Sequence, residues 1–295
     1  MKMEKVAENI YHLEVLIPKV EWLFAVYFIN EGKGVLIEPG PAALIPSIQE
    51  AMKELGMKEL EYIIPSHIHL DHAGAIGGLA QLFPQAKVVL HSLAAKHAVN
   101  PSRLIDDTRT HLNDEFEAVY GAFLPVPKSQ VKVVQDGETL SINGRELQIF
   151  YAPGHATHHI VIFDRETKGL FCGEALGLPL YGADSSPLPA ASPPAFDLEV
   201  YLGTIERLRK LGPQILFYSH GGVGRKPEEL ILRTAENTRV FGDIILNALR
   251  QGESTETIDM RLREYMCSHL GIAVEEADRL IIEGFTFYFK KNGLV

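Results

Sequence analysis

The 295-residue sequence has little of what several large protein classes require. Its two cysteines, Cys172 and Cys267, lie far apart, which excludes a disulfide framework and favours a reducing compartment, the cytoplasm. No run of 18 or more apolar residues occurs, and the first residues lack the apolar core of a signal peptide, so we expect no membrane association. Lys and Arg number 28 against 38 Asp and Glu, which argues against a nucleic-acid partner.

What is present indicates an α/β protein with a sizeable core, since 46% of the residues are hydrophobic. Short runs rich in β-formers alternate with helical patterns, which is typical of layered α/β folds. A mostly helical insertion is expected at 102–123. The predicted strands are 10–15, 24–30, 34–38, 60–64, 87–91, 131–134, 146–151, 159–164, 169–172 and 215–218.

The pattern changes near residue 225, where strand signals stop. Three helices are predicted after it, at 227–251, 255–269 and 275–290. We therefore expect an α/β domain over residues 1–225 and a C-terminal helical appendage over residues 226–295. Two roles for the appendage stay open: a packing or dimerising element, which would make the protein a homodimer, or a roof that contacts substrate.

One short segment contains an unusual density of metal-binding side chains. His67, His69, Asp71 and His72 fall within six residues, directly after a predicted strand. An extended backbone places His67 and His69 on one side, and Asp71 and His72 turn toward a second position as a helix begins. Three glycines follow in that helix, which we expect to let it pack closely against the sheet: Gly74, Gly77 and Gly78.

Three later segments place a further candidate ligand after a predicted strand: His155, Glu174 and His220. Neutral imidazoles and carboxylates suit borderline divalent ions, zinc above all, with iron, manganese, cobalt and nickel as alternatives. His159, four residues after His155, is expected to support a ligand rather than to bind metal. Its neighbour His158 is expected to point the other way.

The order of these motifs resembles the metallo-β-lactamase superfamily over roughly residues 8–224. The resemblance implies a four-layered αββα sandwich with a two-metal site at one edge. Glu174 falls where that family usually has a bridging aspartate, and Glu38 where an acid usually braces the metal loop. The implied ligands are His67, His69 and His155 for the first metal, and Asp71, His72 and His220 for the second.

The sequence departs from the family pattern twice, in both cases with glutamate in place of aspartate, at positions 38 and 174. A longer side chain at position 174 bridges two metals only if its backbone is set back, and otherwise binds one. The number and identity of the metals are therefore open at this point.

The resemblance also implies a function, which is hydrolysis by a metal-bound hydroxide that Asp71 orients. We expect a small-molecule substrate, namely an ester, thioester or lactone. Two other catalytic functions stay open: an iron-dependent redox or oxygen-binding protein of the same fold, and a phosphodiesterase or nuclease. Flavodiiron-type members usually have Glu where His69 stands and need a flavin domain. A non-catalytic binding protein is a fourth alternative.

Overall fold

Two β-sheets form the centre of the protein in a computed structural model that describes residues 2–17, 23–112, 116–182 and 184–295. Residues 18–22, which include Trp22, lie outside the described residues. The first sheet has seven strands in sequence order: β1 (Lys2–Ala7), β2 (Ile10–Leu16), β3 (Leu23–Glu31), β4 (Lys33–Ile37), β5 (Leu60–Ile64), β6 (Lys87–His91) and β7 (Val131–Val134).

The second sheet has six strands in the order β13-β12-β11-β10-β9-β8. Its strands are β8 (Thr139–Ile142), β9 (Arg145–Tyr151), β10 (Ile160–Asp164), β11 (Gly169–Gly173), β12 (Ile215–Tyr218) and β13 (Val223–Gly224). Strands β4 to β7 pair in parallel, as do β11 and β12, and the other pairs are antiparallel.

Ten α-helices cover the two sheets: α1 (Ile45–Glu54), α2 (Leu70–Ala73), α3 (Ile76–Leu82), α4 (Ser92–Val99), α5 (Ser102–Leu112), α6 (Phe116–Tyr120), α7 (Leu198–Arg209), α8 (Pro227–Arg250), α9 (Thr255–Tyr265) and α10 (Arg279–Lys291) among the described residues. One π-helical turn, Met266–Leu270, extends α9. None of these helices has the length and apolar composition needed to cross a membrane.

Strand β3 shows why the protein has four layers. Its side chains alternate, as strand geometry requires. Phe24, Val26 and Phe28 face a core shared with α1 and α3. Ala25, Tyr27 and Ile29 face a second core shared with the other sheet. Both faces are therefore buried, and helix, sheet, sheet and helix follow in order, which confirms the predicted α/β sandwich.

The C-terminal helices form the outer layer on the second sheet. Leu230 and Phe241 of α8, Leu262 of α9 and Phe285 of α10 share one apolar core with Leu216 of β12. Because that core also contains residues of α7, the C-terminal helices and the sheet bury each other's apolar surface. The boundary at residue 225 stays a prediction, and α8 begins two residues after it.

Candidate metal centre

All four segments with predicted ligands meet at one edge of the sandwich. The loop that follows β5 contains His67 and His69 and leads into α2, which begins at Leu70 and contains Asp71 and His72. On the other sheet, His155 follows β9, Glu174 follows β11 directly, and His220 follows β12. The seven predicted ligands form two groups whose donor atoms lie within 4.8 Å of one another: His67, His69, His155 and Glu174, and Asp71, His72 and His220.

In the first group three imidazole nitrogens converge. His67 Nε2 lies 2.8 Å from His69 Nδ1, and His155 Nε2 lies 3.2 Å from each of them. Ligands about 2.0–2.1 Å from a tetrahedral ion are about 3.3–3.4 Å apart, so this spacing is close to that of ligands around one ion. The three histidines therefore fit a divalent metal.

In the second group one carboxylate oxygen faces two imidazoles. Asp71 Oδ2 lies 3.3 Å from His72 Nε2 and 3.5 Å from His220 Nε2. His72 Nε2 is buried and makes no hydrogen bond, although buried polar atoms normally have a partner. A cation among these three side chains would supply that partner.

Glu174 lies between the two groups. Its Oε2 atom is 2.8 Å from His155 Nε2, 3.4 Å from His67 Nε2 and 3.6 Å from His72 Nε2. One oxygen atom therefore faces nitrogens of both groups, which is the position that a bridging carboxylate requires.

The backbone at the end of β11 places Glu174 there. The pairing of β11 with β12 shifts by one residue between Phe171 and Gly173, and Gly173 has φ +52°. A Cβ atom at Gly173 would lie 2.6 Å from Ser66 Oγ, so only glycine fits. The Glu174 carbonyl accepts a hydrogen bond from Tyr201 Oη, and its N–H donates to His159 Nε2.

The other ring nitrogen of each of four histidines is held by a neighbouring group. His72 Nδ1 lies 2.5 Å from Glu38 Oε2, while Glu38 Oε1 accepts from the Ser66 N–H at 2.8 Å. The remaining contacts are His67 Nδ1 to Ser66 Oγ at 2.9 Å, His155 Nδ1 to the Ala190 carbonyl at 2.9 Å, and His220 Nδ1 to the Leu23 carbonyl at 3.3 Å. Such contacts orient Nε2 toward a metal.

The charges at the site favour cations. Burial opposes a charge on His72, yet the carboxylates of Asp71 and Glu38 outweigh it and raise the pKa of His72 well above its usual value. Burial likewise opposes ionisation of Glu174, but His155 keeps the pKa of that carboxyl far below its usual range. Burial and the neighbouring His155 lower the pKa of His69 to about 4. Asp71 and Glu174 are therefore ionised and His69 is neutral, as metal ligands must be, whereas a metal would have to displace the proton that the raised pKa favours on His72.

The structure bears differently on the predictions for His159 and His158, two neighbours of His155. His159 accepts from the Glu174 N–H and stacks on His67 with ring centroids 4.9 Å apart. The prediction for His158 was wrong: its ring lies 6.3 Å from both His67 and His69, beside the ligands. The turn after His155 places positions 158 and 159 before the strand begins, so strand alternation does not apply to them.

The family model described as metallo-beta-lactamase superfamily matches residues 24–220, well over half of the chain. The chain belongs to this superfamily. The matched range includes all seven predicted ligands of the metallo-beta-lactamase motif and both sheets except β1, β2 and β13, together with α1 to α7. The helices α8 to α10 lie beyond it.

Among curated superfamily members, the metallo-beta-lactamase fold-containing protein ST1585 of Sulfurisphaera tokodaii is 26% identical over 57% of this chain and 62% of its own length. The hydroxyacylglutathione hydrolase of Citrobacter koseri is 31% identical over 50% of this chain and 44% of its own. The match to this chain therefore spans less than two thirds of each relative.

A solved superfamily structure extends the likeness to the C-terminal helices. The metallo-beta-lactamase family protein TTHA1429 from Thermus thermophilus superposes with a TM-score of 0.72, covering 97% of this chain and 95% of that one. At 20% identity this likeness establishes the fold alone.

Proposed function

We propose that this protein is a dinuclear metal-dependent hydrolase, with zinc as the metal, that acts on a small ester, thioester or lactone. The observation that supports two ions is the position of Glu174 Oε2, within 3.6 Å of imidazole nitrogens from both groups. His67, His69 and His155 would hold the first ion. Asp71, His72 and His220 would hold the second, and Glu174 would bridge.

Divalent cations at these positions would supply an acidified water and polarise a substrate carbonyl oxygen. The residues of the chain provide the rest. Asp71 is ionised, because His72 and His220 overcome the effect of burial on its pKa, and its side chain keeps 27% of its surface exposed. It would therefore accept a hydrogen bond from a water molecule on the exposed side of the carboxylate and orient that water. Glu38 and the Ala190 carbonyl fix two of the imidazoles.

The acyl class is favoured over phosphoester hydrolysis by the curated relatives named as hydroxyacylglutathione hydrolases, which are thioesterases by that name. The net charge of −10 also argues against a polyanionic substrate such as RNA. We propose a neutral or weakly charged small molecule as substrate.

The test combines metal analysis with a substrate panel. The wild-type protein, purified in a buffer that contains zinc, should bind two ions per chain and cleave ester, thioester or lactone reporters. His69→Ala should lose at least one ion and the activity, whereas His269→Ala, which changes an exposed histidine, should lose neither. Glu174→Asp tests the bridge directly.

Three outcomes would overturn the proposal. Unchanged metal content in His69→Ala would remove the ligand assignment. Cleavage of bis-p-nitrophenyl phosphate with no acyl activity would indicate a phosphodiesterase. Anaerobic purification that yields iron with a visible absorption spectrum would indicate the redox alternative.

A further inference from the structure

Helix α10 contacts the loop that orients one of the proposed metal ligands. Gly284 is buried where α10 crosses this loop. A Cβ atom at Gly284 would lie 2.7 Å from the Ala191 carbonyl carbon and 2.8 Å from the Ser192 nitrogen. These are backbone atoms, so any side chain at position 284 forces the helix and the loop apart. Ala190, which precedes Ala191 in this loop, accepts the hydrogen bond from His155 Nδ1 through its carbonyl.

A second set of contacts joins α10 to Glu174. Phe285 packs edge-on against Phe196 at 4.8 Å, and Phe196 packs against Tyr201 at 5.7 Å. The Tyr201 hydroxyl donates to the Glu174 carbonyl at 2.9 Å. Adjacent residues of one helix thus reach, through different neighbours, the two proposed ligands that meet at 2.8 Å, His155 and Glu174.

From these contacts we infer that α10 positions the first metal group, and that Gly284 is a positioning residue for His155. This inference rests on the proposed function, because it assumes that His155 and Glu174 bind metal. The C-terminal helices then act on the metal centre from behind the loop, which differs from both roles expected from the sequence. A contact that orients a ligating imidazole is typically worth about 10–100-fold in metal affinity.

The experiment compares Gly284→Ala with two matched controls. Gly203→Ala is also a glycine-to-alanine change inside a helix, but nothing lies within 4 Å of the new Cβ atom. Leu262→Ala removes a fully buried side chain of α9 from the same apolar core, and so reports what loss of stability alone does. Each metal-free protein is titrated with Co²⁺, followed by visible absorption and by competition with a chelator.

We expect Gly284→Ala to bind the ion of the first group, at His67, His69 and His155, about 10–100-fold more weakly than wild type, with an altered cobalt spectrum. Gly203→Ala and Leu262→Ala should keep both affinities. The proton on His155 Nδ1, observed by NMR without metal, should shift in Gly284→Ala and stay in place in Gly203→Ala. If Gly284→Ala does not fold, Phe196→Leu loosens the same loop without a clash and should weaken the same ion.

Three results separate the possible failures. If wild type binds two Co²⁺ ions and Gly284→Ala matches Gly203→Ala in affinity, spectrum and the His155 proton, the positioning role is wrong and the proposed function stands. The same holds if Leu262→Ala weakens metal binding as much as Gly284→Ala. If wild type binds no Co²⁺, the proposed function itself fails.

Discussion

Replacing Glu38 by glutamine removes a charge from beneath the second metal group without changing the shape of the side chain. Glu38 is buried, and its two oxygens accept hydrogen bonds from His72 Nδ1 at 2.5 Å and from the Ser66 N–H at 2.8 Å. Glutamine has one acceptor oxygen and a donor NH₂ group. It can therefore satisfy only one of these two donors, and the other faces an N–H.

Two independent magnitudes describe this loss. A hydrogen bond to a charged group contributes about 1.5–3 kcal/mol. Removing the partner of a ligating histidine typically costs about 10–100-fold in metal affinity, which is about 1.4–2.7 kcal/mol. Because the two ranges agree, we expect zinc at the group of Asp71, His72 and His220 to bind about 10–100-fold more weakly in Glu38→Gln.

The assay is competition of zinc-loaded protein with a chromophoric chelator, which resolves the two ions by affinity. Glu146→Gln is the control, since Glu146 pairs with Arg165 on the surface, away from the site. The reasoning is refuted if folded Glu38→Gln keeps both zinc affinities. It is also refuted if the ion held by His67, His69 and His155 is the one that weakens.

Three further predictions concern the rest of the fold. Arg145→Met should lower the free energy of unfolding, measured by urea denaturation, by about 3–5 kcal/mol, because the fully buried carboxylate of Asp164 loses its cationic partner. The double variant Arg145→Met with Asp164→Leu should recover part of that loss. Burial lowers the pKa of His12, so the unfolded chain binds more protons and stability falls as the pH drops below about 6.5. His12→Phe should therefore raise the melting temperature more at pH 5 than at pH 8, and an equal gain at both would contradict this. Gly77→Ala places a Cβ atom on the Leu124 carbonyl and should lower the free energy of unfolding by about 1–3 kcal/mol in thermal denaturation, and an unchanged melting temperature would contradict this.

Four strands could be predicted to the residue. The ranges expected at 60–64, 87–91, 131–134 and 215–218 coincide with β5, β6, β7 and β12. These strands are short apolar runs bounded by turn residues. Strand β1 was missed because it is an edge strand whose Lys and Glu side chains are exposed. Strand β8 was missed because its two buried residues alternate with exposed ones and form no continuous apolar run.

The glycines after the histidine segment show the limit of local patterns. Close packing was predicted correctly, but the partner was not the sheet. Cβ atoms at Gly74 and Gly77 would meet the backbone at Pro41 and at Leu124, and one at Gly78 would meet the Ile45 side chain. Glycine spacing indicates a close approach, and only the tertiary structure determines which segment approaches.

The ligands could be predicted, but most of what holds them could not. Each ligand is a histidine, aspartate or glutamate, a residue type that binds metals, and each lies in a segment that follows a strand. Two of the imidazoles are oriented by the carbonyls of Ala190 and Leu23. Every residue has a backbone carbonyl, so residue type does not indicate which carbonyls orient the ligands. Tyr201 lies on α7 with no local signal that its hydroxyl meets Glu174.

The proposed ligands are divided between the two sheets, with His67 to His72 from one and His155, Glu174 and His220 from the other. Bound ions would therefore cross-link the two halves of the sandwich. Metal should then raise the barrier to unfolding as well as the equilibrium stability. The same division means that two fragments cut between β7 and β8 should associate more tightly with metal than without it, in addition to the apolar core that the sheets share.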